Sequence, residues 1–354
     1  MNSRERILAA IEHREVDRVP TDIWAVGEVW QKLHERFGSN QAAYSALHID
    51  GIHGVGPRYT GPALPSGDNY GIAYYSGIWG TRTRPIQYAT GLYYEQCFYP
   101  LADATSIDDL ERFNWPKAEW FDYSQLAAQA AELHKTQVVS CGYMAPFTYH
   151  LYLRGLEQML MDPLLDPDFT RHFLGRLSDF MYDHHRRIFE AADGLIDITQ
   201  VTDDYGMQTG PMISLETFRE FYKPHVARFA ALAHEFGVKV FHHDDGAMRD
   251  FIPDLLEVGI DVLNPIQWRC PGMEIEGLKR DFGSRLCFHG GVDNQQTLPF
   301  GTPDDVRAEV RHLIDVLAGD RTGFILAPCH NIQACTPIEN ILAMYDEAHK
   351  YGKF

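Results

Sequence analysis

The chain has 354 residues, 45% hydrophobic and 23% charged, the balance of a folded soluble protein rather than a disordered or fibrous one. Its 31 Lys and Arg against 49 Asp and Glu give a formal net charge of -18, which argues against nucleic acid or an anionic membrane surface as a partner, since both need a basic footprint. No apolar run approaches the roughly 18–20 residues of a membrane-spanning helix.

In chain order, residues 1–20 (MNSRERILAAIEHREVDRVP) are too charged for a secretory leader, and Ile7, Leu8 and Ile11 share one side of an amphipathic helix. Residues 18–24 (RVPTDIW) read as a first strand. Residues 51–100 are rich in Gly, Pro and Tyr and predict an insertion of short strands or a hairpin covering one face. Residues 137–144 (QVVSCGYM) give another strand. Five strand-then-helix units follow: LIDITQV before SLETFREFYKPHVARFAALAHEFG, VKVFHH before MRDFIPDLLEVG, IDVLNPIQ before EIEGLKRDFG, RLCFHGG before TPDDVRAEVRHLIDVLAG, and GFILAPCH before PIENILAMYDEAHKYG. That alternation is the signature of a parallel sheet. Ser214, Thr302 and Thr336 stand where helix N-caps belong, each with Glu or Pro in the turn that follows. With no low-complexity linker, residues 1–354 read as one domain. The six cysteines show no pairing pattern, so reduced thiols and a cytoplasmic home are expected.

A closed barrel and an open doubly wound sheet share this rhythm. The late strands decide between them, because each ends in polar groups: Asp203 and Asp204; His242, His243, Asp244 and Asp245; Asn264 and Gln267; His289 and Asp293; Cys329, His330 and Asn331. Five consecutive strand ends converge on one site more readily around a ring, so the expected fold is an α/β TIM (β/α)8-type barrel with an N-terminal helical extension.

The stretch VFHHDDG is the densest of these ends. Alternation sends His243 and Asp245 to one face and His242 and Asp244 to the other, so one pair faces the mouth. Cys329 would supply a third metal ligand, and histidine, carboxylate and thiolate together suit zinc better than magnesium or calcium. The alternative is a hydrogen-bonded cluster with no metal. Asp203 or Asp204 would orient a substrate or act as an acid, although capping explains at least one of them. Asn264 and Gln267 would recognise a small-molecule substrate. Trp24, Tyr143, Phe147 and Tyr205 would wall its pocket. No P-loop, Rossmann GxGxxG or GxSxG elbow is present, which leaves nucleotide and serine-hydrolase chemistry without support.

RERILAAIEHREVDRVPTDIW, LRGLEQMLMDPLLDP, TDDYGMQTGPMIS, HHDDGAMRDFIPDLLEVGIDVLNPIQ, FHGGVDNQQTLPFGTPDDV and CHNIQACTPIENILAMYDEAHKYG, in that order, resemble the uroporphyrinogen decarboxylase superfamily. That superfamily includes the cobamide-dependent methyltransferases. The resemblance implies a TIM-like barrel, often homodimeric. The decarboxylases carry an arginine-rich N-terminal segment for a substrate with many carboxylates, whereas here the matching residues read VPTDIWAVGEVW. In the methyltransferase branch a His-x-Cys pair and a later Cys bind zinc. Matched onto this chain, the ligands become His243, Asp245 in place of the first Cys, and Cys329. The reading that results is a zinc-dependent enzyme. It would move a methyl group between a small-molecule substrate and a corrinoid (methylcobalamin) on a partner protein, or a thiol acceptor. Asp204 and His289 would handle protons, and Trp24, Tyr143, Tyr205, Asn264 and Gln267 would hold substrate. A metal-free decarboxylase and a non-catalytic ligand- or corrinoid-binding protein are the alternatives.

Overall fold

A computed structural model describes residues 1–69, 72–89 and 91–354. Seven parallel strands stand side by side in chain order: β1 (Ile52–Gly54), β2 (Val138–Met144), β3 (Ile198–Thr202), β4 (Lys239–His243), β5 (Val262–Asn264), β6 (Cys287–Val292) and β7 (Phe324–Pro328). Residues 20–25 supply the eighth stave. Asp22 N–H donates to Leu326 O and Leu326 N–H to Pro20 O on one side, while Asp50 and Gly51 N–H donate to Thr21 O on the other. The ring is thereby closed between β7 and β1, and the fold is the expected α/β barrel. This stave makes only isolated bridges, at Thr21 and Ala25. Pro20 has no N–H to give, and the Asp22 side chain takes the Ile52 N–H that a strand carbonyl would otherwise accept.

The N-terminal helix α1 (Ser3–Ile11) opens on a capping box of Asn2 and Glu5. Its Ile7, Ala10 and Ile11 pack with Val138, Ile198, Val262, Cys287 and Ile325 inside the barrel. Four of these five are the first residues of their strands and Ile325 is the second of its own, which means α1 seals the N-terminal end and leaves the C-terminal mouth open. The rest of the core lies between the sheet and its outer helices.

Four antiparallel strands (Ser66–Asn69, Ile72–Ser76, Arg82–Tyr88, Gly91–Phe98) form a separate sheet. Leu92 N–H donates to Glu28 in the helix Gly27–Phe37, and the Gln96 amide to Tyr152 O in the helix Pro146–Arg154. Both helices start just past the C-terminal end of a stave, so this sheet stands at the rim of the mouth.

Ser214 and Thr302 cap helices as expected, accepting from Thr217 and Asp305 N–H. Thr336 does not. The helix Ile338–Tyr351 starts after Pro337, and Thr336 Oγ1 is buried with no hydrogen-bond partner among the described residues. The helix expected to follow Ser214 contains a π turn at Phe218–Tyr222, one residue before Pro224, which has no N–H for the ladder.

β2 is irregular. Its pairing with β3 shifts between Ser140 and Tyr143, and Gly142 has φ +98°, where an added Cβ would lie 2.6 Å from Thr199 Oγ1 and nearer still to the His185 ring. The displaced Tyr143 N–H donates to His185 Nε2 at 2.8 Å, and His185 Nδ1 donates to Met181 O.

Burial holds the His185 imidazole down to about 3 and that of His242 to about 3. The unfolded chain takes up these protons near pH 6.5 and the folded one does not, so stability is lost as pH falls below about 6.5. The melting temperature is expected to drop steadily from pH 7 to pH 4, and less steeply in His185→Gln, whose Oε1 can still accept from Tyr143 N–H. A scan that is flat over this range, or identical in the variant, contradicts the assignment.

Candidate active site

Inside the mouth a line of hydrogen bonds crosses four staves. His289 Nε2 donates to Asp22 Oδ2 (3.0 Å), Asn264 Nδ2 donates to His289 Nδ1 (2.8 Å), and His243 Nδ1 donates to Asn264 Oδ1 (2.5 Å). All four residues are buried. The direction follows from the chemistry of the ends. A carboxylate only accepts, so His289 Nε2 carries the proton and its Nδ1 is an acceptor. Asn264 must then donate to His289 and accept from His243. In the neutral His243 ring this leaves Nε2 as a bare lone pair, facing Asp204 Oδ1 and Asp245 Oδ2 at 3.9 Å each.

His243, Asp245 and His330 each offer a ligand atom, and these atoms all lie within 4.8 Å of one another. His330 Nε2 is 3.8 Å from Asp245 Oδ2. The Trp24 ring packs 5.3 Å from His243 and 6.3 Å, edge-on, from His330, while its Nε1–H donates to Asp22. Asp204 accepts from Asp245 N–H and is about half exposed. Burial raises the Asp245 carboxyl and lowers the His330 imidazole, although each side chain stays 37% exposed, and a bound cation would offset both shifts.

The remaining candidates separate into mouth and frame. Cys329 lines the same cleft of about 270 Å3 as Asp245, Gln267 and His330. Its Sγ, however, donates to Ile266 O at 3.2 Å, and burial pushes the thiol well above its usual range. His330, one residue on, is the group that joins His243 and Asp245. Asp244 sits on the outer face, where it accepts from Gly206 N–H, with His242 Nε2 3.7 Å away. Asp203 caps the helix Pro146–Arg154 by accepting from Phe147 and Thr148 N–H, and it also accepts from Tyr205 O–H; burial pushes it up to about 7. Tyr205 and Phe147 are enclosed in the core, whereas Tyr143 is 40% exposed at the mouth. Gln267 donates to Gln208 across the cleft. Asp293 pairs with Arg269 at 2.6 Å, and Asn331 receives Gln333 and Asn294 at its carbonyl. Both nitrogens of His289 are engaged, which makes it a positioning residue, while Asn264 spends one N–H and one lone pair on the line.

Sequence reasoning passed over Asp22. Its signal was a carboxylate inside an apolar strand, two residues before Trp24. His330 was visible only as one of several polar strand-end groups.

Residues 96–351 match the uroporphyrinogen decarboxylase (URO-D) family model. The chain belongs to the uroporphyrinogen decarboxylase family. Among family relatives, a methylated-thiol–coenzyme M methyltransferase of Methanosarcina mazei is 28% identical over 203 residues, covering 56% of this chain and 49% of that protein. A uroporphyrinogen decarboxylase of Anaeromyxobacter dehalogenans is 28% identical over 140 residues, 40% of this chain and 38% of that one. The chain thus spans about half, or less, of the curated relatives it matches. These relatives are enzymes. A solved methyltransferase from Methanosarcina mazei shares the fold over 99% of both chains, with a TM-score of 0.66 at 18% identity.

The hydrogen-bond line makes a prediction independent of any ligand. Nitrogen-15 NMR of the imidazoles is expected to find His243 as the Nδ1–H tautomer, and Asn264→Leu is expected to mix the two tautomers. An unchanged His243 spectrum in that variant would disprove the directional line.

Proposed function

We propose that this family member is a zinc-dependent methyltransferase, moving a methyl group between a small-molecule substrate and a corrinoid held by a partner protein, with residues 1–354 acting as one unit. The observation that carries the reading is the convergence of His243, Asp245 and His330 around a lone pair that the Asn264 hydrogen bond keeps free. Two imidazoles and one carboxylate suit zinc better than an oxygen-preferring ion, and three protein ligands leave a position open for a substrate atom. When bound, the metal would act as a Lewis acid on the heteroatom that loses or gains the methyl group.

The chain's own residues would do the rest. Asn264, His289 and Asp22 orient His243, as outer-shell partners do at metal sites. Trp24 keeps water from one side of the cluster. Asp204, exposed and 3.9 Å from His243, is the group placed to take or give a proton at the mouth. Cys329 would stay a neutral thiol at the back of the cleft.

Methyl rather than carboxyl chemistry is supported by the charge of the surroundings. Neither Arg nor Lys lines the metal cleft or the larger cavity beside it, so a substrate bearing many carboxylates would meet no compensating cation. The likeness to the Methanosarcina mazei relative points the same way. The corrinoid rests on the resemblance of the sequence motifs to the cobamide-dependent branch.

Elemental analysis of the purified protein is expected to give close to one zinc per chain. Asp245→Ala and His330→Ala should each weaken zinc by more than the roughly 10- to 100-fold typical of losing an outer-shell partner, whereas Asp22→Asn should fall within that range. Cys329→Ala should leave zinc in place. Retention of zinc in His330→Ala together with its loss in Cys329→Ala would transfer the third ligand to the thiol. Absence of zinc altogether, with decarboxylation insensitive to chelators, would replace the proposal.

A further inference from the structure

β1 and β2 pair only briefly. Val55 N–H donates to Ser140 O, and beyond that point the strands part, because β2 swings outward at Gly142 to reach His185. The gap opens a chamber of about 380 Å3 whose walls include Trp79, Phe121, Tyr143, Tyr149 and Phe180. These rings brace one another. Trp79 and Tyr149 lie 4.8 Å apart, Tyr143 stands edge-on to Tyr149 at 6.1 Å, and Phe121 packs 4.4 Å from His184. An aromatic lining already held in place costs little ordering when a ligand enters.

The polar groups of the chamber are few and specific. Ser140 and Gln200 line it, and neither side chain has a hydrogen-bond partner among the described residues. His184 lines it too. Tyr123 O–H donates to Ala118 O, so the 2.8 Å bond between Tyr123 and His184 Nδ1 has the imidazole as donor, which leaves Nε2 an acceptor. Burial holds this ring down to about 4, so it is neutral at physiological pH. No Asp, Glu, Lys or Arg lines the chamber.

The chamber shares the mouth with the metal cluster. Gln200 pairs in register with Phe241, two residues before His243. Tyr143, one of the walls, lies within reach of the Asp204 charge, and Asp204 in turn faces His243. A volume of about 380 Å3 is at the low end for small-molecule sites, which run from about 300 to 1,000 Å3. One ring with short substituents fits, and a tetrapyrrole does not.

We propose that this chamber holds the body of the substrate, and that the substrate is an uncharged one-ring aromatic of the phenol or phenyl methyl ether class. The ring would lie among Trp79, Tyr143 and Tyr149, a hydroxyl would donate to His184 Nε2, and Gln200 would meet an ether or hydroxyl oxygen. The assignment of the reacting substituent rests on the methyltransferase reading, whereas binding of the ring does not.

Calorimetric titration of the full chain with phenol, anisole, benzoate and cyclohexyl methyl ether, without corrinoid, tests it. Phenol and anisole should saturate one site, with benzoate and cyclohexyl methyl ether at least about tenfold weaker. Gly54→Leu should block both ligands, since an added Cβ lies 3.9 Å from Ser140 Oγ at the chamber wall and meets nothing closer. His184→Phe should weaken phenol, which can donate, several-fold more than anisole, which cannot. Equal binding of all four probes, or equal loss of phenol and anisole in His184→Phe, overturns the proposal. Ring binding by a chain that holds no zinc keeps the chamber and removes the methyltransferase reading; zinc binding with no preference for the aromatic probes does the reverse.

Discussion

The Asp22 carboxylate is the interaction on which both the barrel and its mouth depend. One oxygen accepts the Ile52 N–H at the start of β1, and the other accepts His289 Nε2–H and Trp24 Nε1–H. Its backbone N–H binds β7 and its carbonyl accepts Tyr345 O–H from the last helix. Burying a carboxylate is costly unless its lone pairs are filled, and here three donors fill them. The same three bonds join the irregular eighth stave to β1 and set the proton of His289. The tautomer of His243 depends on that anchoring, because it is passed through Asn264. An alanine at this position would leave an amide, an indole and an imidazole donor unpaired together.

VFHHDDG divides as period-two alternation requires. His243 and Asp245 turn to the mouth, while His242 and Asp244 are buried outside it. This much was legible in the sequence because a regular strand leaves no freedom about facing. The third member was not. β7 ends at Pro328, and Cys329 and His330 follow in a loop where alternation no longer holds, so nothing in the spacing says which of these two cleft-lining groups stands beside His243 and Asp245. Local packing decides it. Ile266 O takes the thiol proton, and neighbouring Asp293 and Glu309 oppose a thiolate there. Asp22 was illegible for a different reason: its partner His289 is 267 residues away, and a single acidic residue in an apolar strand carries no local signature.

The fold was more legible than the site because each strand-then-helix unit repeats one pattern and errors at single residues average out. Where it departed from expectation, a proline stands at or beside the departure. Pro20 spoils the first stave as a ladder strand, a π turn at Phe218–Tyr222 precedes Pro224, and the last helix has Pro337 rather than Thr336 at its N-cap position. At Pro20 the missing N–H accounts for the lost ladder bond; Thr336 has no such account, since Thr302 caps its helix with Pro303 in the same place. Gly142 acts in the opposite sense. Its positive φ permits the irregularity that turns Tyr143 N–H toward His185, and both Gly142 and Tyr143 line the aromatic chamber.

The distribution of charge across the mouth links these features. The chain holds an excess of acidic groups, and several of its buried or half-buried cations are paired away from the mouth: Arg6 and Arg18 on Asp50, Arg154 on Asp162, Lys223 on Asp254. Asp204 and Asp245 therefore stand near one another with only imidazoles for company, while the chamber behind Tyr143 has no formal charge at all. Two carboxylates sharing a partly dehydrated cleft repel, and a divalent cation on Asp245, His243 and His330 would relieve that repulsion more fully than a proton on His330, whose imidazole burial lowers. The mouth thus separates into a region that favours a cation and a region that favours an uncharged ring. A ligand bridging them would have to present its one polar atom at the boundary, beside Tyr143 and Asp204.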